Sequence, residues 1–569
     1  MPIKRRRSEV EIDASSPSAP AKKPRLIDTG ASRDHLSPLP SELLVRILTH
    51  LSLPQLLNVA PVSRRFQRIS EDSQIWKRLY YSRFVLPRAL RIPGFRDGSA
   101  REGKLHYSSR RAVWADGRRG GWVDMRSDDR DKPSRDWKKQ YKLRHNWSKG
   151  TCAMEELHVE DGMSAVTGSR EPQKMLVKVC DGIAVTADLS NGLRAWDLKT
   201  KQMVAQINLA EADIDAPPTC LALDEQKLTQ QVVDIAVGFR DGSFGIWRLD
   251  IRDRRLLSRY RHGKSTIGPL AGVAFSHPYL LTATESILIS LYTFDRPNSS
   301  STSRNQHETS SETERDSDTN LPAPYLLTSL KSHTSQAPLA LSIRKTRVGT
   351  VASIAYTFAT LRGWSLGIQD LHLKPSSSNL KDTPDITTTR LAYTLPITSP
   401  SSHIPSPPNS PARPRVSTSA GFANAIEDGP ISICYTHPYL LATLPDNTLI
   451  LYLCTSNASS LSISPGIRLW GHTSGISDAE ITARGKAVSV SCRGEEIRVW
   501  ELEGRADGRS IEVRPTASGS TNDDANGTES PQVDSAFDER RNWVGFDDEM
   551  VIVLKESRGR ESLMVYDFT

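Results

Sequence analysis

The stretch Leu36–Tyr80, LSPLPSELLVRILTHLSLPQLLNVAPVSRRFQRISEDSQIWKRLY, packs short helical signals more densely than any other part of the chain. Leu39, Leu43, Ile47 and Leu51 recur every four residues with Leu44 and Leu48 beside them, which predicts a helix with a broad apolar face. Pro40 sits where a first helical turn tolerates it. Ser52-Leu53-Pro54 breaks the pattern and restarts it as a second short helix (Leu56, Leu57, Ala60). Pro61 precedes a third (Val62, Phe66, Ile69), and Ile75, Trp76 and Leu79 mark a fourth. None of these helices is long enough to be stable alone, and so small a unit buries too little surface to stand unaided. Part of its apolar surface is therefore expected to belong to a partner.

The Leu-Pro-x-Glu-Leu opening (Leu39, Pro40, Glu42, Leu43), Ile47, Leu56, the Val62-Ser63 pair followed by basic residues and Phe66, and the closing Ile75-Trp76 together resemble an F-box. The resemblance implies binding to a Skp-type adaptor, and through it to a cullin-RING ubiquitin ligase. Leu39, Pro40, Leu43, Ile47, Leu56, Val62 and Trp76 are the adaptor contacts it implies. The competing expectation from the residues alone is a helical subdomain docked on its own chain.

At 569 residues and 37% hydrophobic content the chain is long enough for two or more domains and a sizeable core. Thirty-five prolines and long Ser/Thr-rich tracts predict a smaller folded fraction than the length implies. The six cysteines (Cys152, Cys180, Cys220, Cys434, Cys454, Cys492) are scattered, with no CxxC and no His pair at zinc spacing, and are expected to be reduced, buried thiols. No apolar run approaches the length of a membrane span and no signal-peptide core is present, so the expectation is a soluble intracellular protein of nucleus and/or cytoplasm, with no membrane partner. The formal net charge of +8 is largely local, since residues 101–150 hold fifteen Lys/Arg against seven Asp/Glu.

Residues 1–35 lack periodicity and read as a disordered basic tail. Lys4, Arg5, Arg6 and Arg7 and then Lys22, Lys23 and Arg25 form two clusters that resemble a bipartite nuclear-import signal; a solvated tail is the alternative. After the helical unit at 36–83, residues 84–150 mix basic residues with Trp114, Trp122, Trp137, Tyr141 and Trp147. That mixture suits stacking on single-stranded nucleic acid. Its end, Trp137 to Gly150 with Asn146-Trp147-x-x-Gly150, instead resembles the segment that links an F-box to a WD-repeat propeller.

From Thr151 the period becomes strand-like, in short apolar runs separated by Gly, Asp, Asn and Pro. Three copies of a strand, a tight polar turn and a strand ending in Trp stand out: Ile183–Ala187 with Leu193–Asp197, Val233–Gly238 with Phe244–Trp247, and Ala487–Ser491 with Ile497–Glu501. Two further copies follow His-Pro pairs (His277-Pro278, His437-Pro438), and two more centre on Leu366–Leu371 and Leu563–Phe568. Trp196-Asp197, and Gly471-His472 preceding Trp500, resemble the marks of a WD repeat. The resemblance implies a β-propeller over 151–569, and third strands near residues 193, 244, 288, 366, 448, 496 and 563 make it seven-bladed. The Cys152–Val159 strand is expected to close the ring on the C-terminal strands.

Segments 297–323, 374–428 (with a strand at Tyr393–Ile397) and 503–540 read as insertions too polar to form cores. They and their surroundings carry the Ser-Pro and Thr-Pro pairs Thr383-Pro384, Ser399-Pro400, Ser406-Pro407, Ser410-Pro411 and Ser530-Pro531, a weak signal for proline-directed kinases.

No phosphate loop, HExxH, nucleophile elbow or spaced Cys/His pairing appears, so neither an enzyme nor a cofactor is expected. In the best known F-box/WD-repeat proteins basic propeller residues hold a phosphorylated segment of the substrate. Arg194 and Arg498, each just before a third-strand Trp, are the matching candidates, against the plainer reading of strand-edge charges. The resulting expectation is a substrate-recognition subunit of an SCF-type ligase. The alternative is a nuclear scaffold or nucleic-acid-associated WD-repeat protein using the basic 101–150 segment.

Overall fold

A computed structural model of the protein describes residues 35–36, 38–89, 136–159, 175–209, 216–295, 320–332, 335–346, 349–374, 386–397, 429–457, 459–502, 509–515, 543–557 and 560–569. The two import-signal clusters and the Ser-Pro pairs lie outside the described residues. The chain falls into two compact units, Met1–Arg78 and Leu79–Thr569.

In the first unit the Pro-punctuated pattern gives α1 (Ser41–Leu48), α2 (Leu53–Val59), a 3-10 turn (Ala60–Val62), α3 (Arg64–Ser70) and all but the last two residues of α4 (Ser73–Tyr80). Each restart is locally capped. Ser52 N donates to Gln55 Oε1 at 2.9 Å, and Ser63 Oγ accepts from Phe66 N at 3.2 Å, satisfying first-turn groups that have no helical partner. Leu44, Leu48, Leu56, Ile69 and Trp76 are buried. Arg65 Nη2 donates to Leu39 O at 2.5 Å, which ties the Leu39-Pro40 entry to α3.

The second unit begins with a π-helical turn (Tyr81–Val85), α5 (Leu86–Ala89) and α6 (Trp137–Lys149). Asp136 caps α6, its carboxylate accepting from Lys138 N at 3.0 Å and Lys139 N at 3.1 Å. Gly150 ends it with φ 71°, and a Cβ there would stand 2.1 Å from Glu512 O, so this turn requires glycine. On α6, Tyr141 Oη accepts from Arg83 Nη1 at 2.6 Å, and Tyr141 and Trp137 ring-pack with Phe84 and Tyr80 at 5.3 and 5.6 Å.

Seven antiparallel sheets follow. Blade 1 is β2 (Leu176–Cys180), β3 (Ile183–Asp188), β4 (Gly192–Asp197) and β5 (Gln202–Ile207). Blade 2 is β6 (Pro218–Asp224), β7 (Val232–Phe239), β8 (Phe244–Asp250) and β9 (Arg255–His262). Blade 3 is β10 (Leu270–Ser276), β11 (Tyr279–Thr284), β12 (Leu288–Thr293) and β13 (Tyr325–Lys331). Blade 4 is β14 (Ser335–Lys345), β15 (Thr350–Thr360), β16 (Gly363–Leu373) and β17 (Ile386–Tyr393). Blade 5 is β18 (Ser432–Thr436), β19 (Tyr439–Thr443) and β20 (Leu449–Ser456), with its outer edge split into β21 (Leu461–Ile463) and β22 (Ile467–Leu469). Blade 6 is β23 (Ile476–Ile481), β24 (Lys486–Ser491), β25 (Ile497–Glu501) and β26 (Ser510–Glu512). Blade 7 is β28 (Trp543–Phe546), β29 (Met550–Ser557) and β30 (Arg560–Asp567), completed by β1 (Thr151–His158), which pairs antiparallel with β30 from Ala153↔Asp567 to His158↔Ser562. A short parallel pairing of β1 with β27 (Arg514–Pro515) lies on its other side. The first strand of the domain thus closes the ring on the last.

A sheet with two apolar faces cannot bury both by itself, and stacking the blades in a ring covers every face. Each of the seven seams has its own apolar cluster, from Val185 and Trp247 between blades 1 and 2 to Leu157, Ile552 and Val177 between blades 7 and 1. The third-strand tryptophans Trp196, Trp247 and Trp500 each pack toward the preceding blade. All seven third strands fall where the sequence places them.

Two segments with insertion-like composition contain blade strands. Ile386–Tyr393, inside 374–428, is the outer strand of blade 4, while Ile397 makes only an isolated bridge to Trp364. Ser510–Glu512 and Arg514–Pro515, inside 503–540, edge blades 6 and 7. The physical reason is exposure: an outermost strand such as ITTTRLAY meets solvent along much of its length, so its side chains need not be apolar.

Candidate functional site

Two surfaces carry the functional question, the apolar face of the helical unit and the propeller. On the helical unit Leu43 (48%), Ile47 (45%) and Val62 (70%) stand exposed, as does Pro40, while Leu39 is half-buried. Leu57 (51%) and Leu36 join them; sequence reading assigned neither a contact role, although Leu57 follows the buried Leu56 on an amphipathic helix. Two of the seven contacts taken from the resemblance belong instead to the core. Leu56 is fully buried at 0% exposure, and Trp76 is buried with its indole N–H donating to Ser70 O at 2.7 Å.

On the propeller, Arg194 is 3% exposed. Its Nη2 donates to Asp188 Oδ2 at 2.9 Å and its Nη1 to Val159 O at 2.7 Å, so this guanidinium holds blade 1 against the end of β1. Arg498 is half-buried, with Nε 2.5 Å from Glu496 Oε1 and Nη1 donating to Ser510 Oγ at 3.0 Å. Both candidates are thus engaged within the propeller, and neither offers a free cationic arm.

The Gly-His mark is structural. His472 Nε2 lies 2.6 Å from Ser489 Oγ, which also accepts from Trp500 Nε1 at 2.8 Å, and His472 Nδ1 lies 3.4 Å from Glu496. Burial pushes His472 down to about 4 despite Glu496, so it is neutral at pH 7. Burial opposes ionisation of Glu496, but hydrogen bonds from Thr473 and Arg498 overcome it and hold the carboxyl at about 2.

Three loops of blades 4 to 6, one between second and third strands and two after outer strands, each carry a large exposed apolar side chain. Leu361 follows the end of β15, Leu395 follows β17, and Trp470 follows β22, all strongly exposed. Arg468 stacks 5.7 Å over Trp470 and is ion-paired with Asp446. Sequence reading singled out none of the three; Trp470 directly precedes the Gly-His mark, which is the signal that could have drawn attention to it.

The basic/aromatic segment splits. Residues 101–135 lie outside the described residues, whereas Tyr141 and Trp147 are buried against the chain itself and are not free to stack on bases. Among the described residues no cluster of His, Cys, Asp and Glu fits a metal ion, and no helix is long and apolar enough to cross a membrane. Cys152, Cys180, Cys220 and Cys454 are buried thiols and Cys434 is half-buried, but Cys492 is exposed on the turn between β24 and β25, where a side chain faces solvent rather than a seam.

A helical F-box-like unit followed by a seven-bladed propeller defines the architecture of an F-box protein with a β-propeller. The family "F-box-like" matches residues 36–82, and the family "F-box protein pof12 beta-propeller" matches residues 152–569; the chain belongs to this second family. No curated protein matches the chain. Solved structures similar to it include "Structure of U3-55K", at 10% identity, 73% of this chain, 98% of that one and a TM-score of 0.38. A second is "Crystal structure of RRP9 WD40 repeats", at 10% identity, 73% and 97% coverage and a TM-score of 0.38. A third is the Cps50 (Swd1) beta-propeller domain of Myceliophteria thermophila, at 11% identity, 70% and 98% coverage and a TM-score of 0.37. The propeller assignment rests on the seven sheets and the family match.

Proposed function

We propose that this protein is the substrate-recognition subunit of an SCF-type cullin-RING ubiquitin ligase. The single observation that carries the reading is the exposed apolar face of the helical unit, Leu43, Ile47, Leu57 and Val62, in a unit whose small core is already filled by Leu44, Leu48, Leu56 and Trp76. Exposed aliphatic side chains clustered on one small unit mark a protein interface. In this reading a Skp-type adaptor covers them together with Leu39 and Pro40, and the propeller binds the protein substrate. The exposed Trp470, an aromatic side chain of the kind that anchors protein ligands, supports a protein ligand on the propeller.

Catalysis is then by proximity. The receptor donates no chemical group and raises the effective concentration of substrate lysines at the ubiquitin-loaded enzyme. The two N-terminal basic clusters support action in the nucleus as well as the cytoplasm. The test is co-purification of the full chain with a Skp-type adaptor, comparing wild type with Leu43→Asp/Ile47→Asp. The double variant is expected to lose the adaptor; undiminished binding overturns the reading.

A further inference from the structure

The cations of α6 fall into two sets. Lys139 and Arg144 meet propeller carboxylates, with Lys139 Nζ 3.4 Å from Glu549 Oε1 and Arg144 Nη2 3.2 Å from Glu501 Oε1. Lys138, Lys142, His145 and Lys149 recur at i, i+4, i+7 and i+11, which places them on one stripe of the helix. The three lysines of that stripe are exposed and His145 is half-buried. Among the described residues neither Lys142 nor Lys149 has a carboxylate partner. Trp137–Lys149 contains no acidic residue, and the carboxylate of its N-cap, Asp136, is taken up by Lys138 N and Lys139 N. Arg83, also exposed, donates to Tyr141 Oη and so stands beside the stripe. Burial, and then the charges of Arg83 and Lys149, push His145 below its usual value, and its buried Nδ1 has no hydrogen-bond partner.

This arrangement works against the helix's own stability. Like charges three and four residues apart repel, and lysines in the first turn oppose the helix dipole. The helix is held instead by its other face, where Tyr141, Leu143 and Trp147 are buried and Trp147 stacks on Phe568 with ring centroids 3.8 Å apart. The outer stripe therefore offers cations and no exposed apolar side chain. A folded protein partner anchors on desolvated aromatic or aliphatic groups, whereas a phosphate backbone needs only cations. With Tyr141 and Trp147 buried, stacking on single-stranded bases is closed to this helix. The stripe runs for eleven residues, about 16 Å at a helical rise of about 1.5 Å, long enough to meet several phosphates of a duplex strand spaced about 3.4 Å along its axis.

We propose that the outer stripe of α6, Lys138, Lys142, His145 and Lys149 with Arg83 beside it, binds the phosphate backbone of a double-stranded nucleic acid without reading its bases. The contact goes beyond the receptor reading and does not depend on it: a ligase subunit that carries this stripe is held where duplex nucleic acid is dense, and a protein that is no ligase subunit would be held there equally.

The test is fluorescence anisotropy of the full chain against labelled DNA and RNA duplexes of about 20 base pairs, over about 50 to 200 mM salt. Wild type is expected to bind at least one duplex, more weakly as salt rises. Lys142→Ala/Lys149→Ala should weaken that binding at least about fivefold near 100 mM salt and flatten the slope of log K against log salt by about 2, and Lys142→Arg/Lys149→Arg should restore both. Lys331→Ala/Arg362→Ala removes the same charge from exposed positions on blades 3 and 4 and should leave the slope unchanged. No duplex binding by wild type, an α6 variant that binds like wild type, or an equal loss in the blade variant each overturns the proposal. Poly-L-glutamate serves as the acidic-protein probe: if it binds through Lys142 and Lys149 while neither duplex does, the stripe serves an acidic protein and the proposal falls.

Discussion

Arg194 Nη2 and Asp188 Oδ2 stand 2.9 Å apart inside blade 1, with the arginine almost wholly removed from solvent. A buried charge is stable only because its partner is there, and Asp188 is further held by Asn191 N at 2.5 Å and Ser190 Oγ at 3.0 Å. Arg194→Ala leaves that carboxylate without its cation and should cost about 3 kcal/mol or more. Denaturant unfolding measures it. A midpoint equal to wild type, with selective loss of a substrate, would return Arg194 to the binding surface.

The helical unit gives a paired prediction. Leu43→Asp and Ile47→Asp lie on the exposed face and should change stability by less than about 0.5 kcal/mol while abolishing adaptor binding. Leu56→Ala, although it introduces no charge, opens a cavity and should destabilise the unit by about 2 to 5 kcal/mol. Circular dichroism melts alongside co-purification separate the two; equal destabilisation by both kinds of change would mean that the exposed face is packed in solution.

Two glycines with positive φ should differ in cost. At Gly150 a Cβ would meet Glu512 O at 2.1 Å, whereas at Gly182, with φ 81°, nothing lies within 4 Å. Gly182→Ala should therefore cost only the backbone preference, about 1 kcal/mol, and Gly150→Ala clearly more, because α6 or β26 has to move. Thermal unfolding of the two variants side by side checks the order.

His472 gives a pH dependence of definite sign. Its folded value of about 4 lies below the ordinary 6.5, so between these the unfolded chain binds more protons and stability is lost as pH falls. Other buried groups titrate as well, so the informative quantity is the stability difference between wild type and His472→Gln. That difference should shrink by up to about 3 kcal/mol as pH falls from 6.5 toward 4. A flat difference across this range would show that His472 is not held neutral by burial.

The sequence alone was enough for the order of helices in the first unit, the class of the second, the number of blades and the strand that closes the ring. The helix order and the all-β character follow from one-dimensional signals, an apolar period of about four residues cut by prolines and short apolar runs bounded by turn residues, while the propeller and its closing strand follow from the resemblance to WD repeats and the blade number from the count of third strands. The same signals miss strands whose side chains meet water, which is why Ile386–Tyr393 and Ser510–Glu512 read as insertion.

Only the tertiary structure decided which residues face out. Leu56 and Leu57 are adjacent and chemically identical, yet one is core and the other exposed, because a helix turns 100° per residue and packing selects the face. Arg194 likewise looks in sequence like a charge available for a ligand, and a carboxylate folded beside it by the β3–β4 turn makes it a strut. The anchoring of Trp147 on Phe568 spans nearly the whole propeller in sequence, and no local pattern encodes a contact that exists only once a ring brings its two ends together.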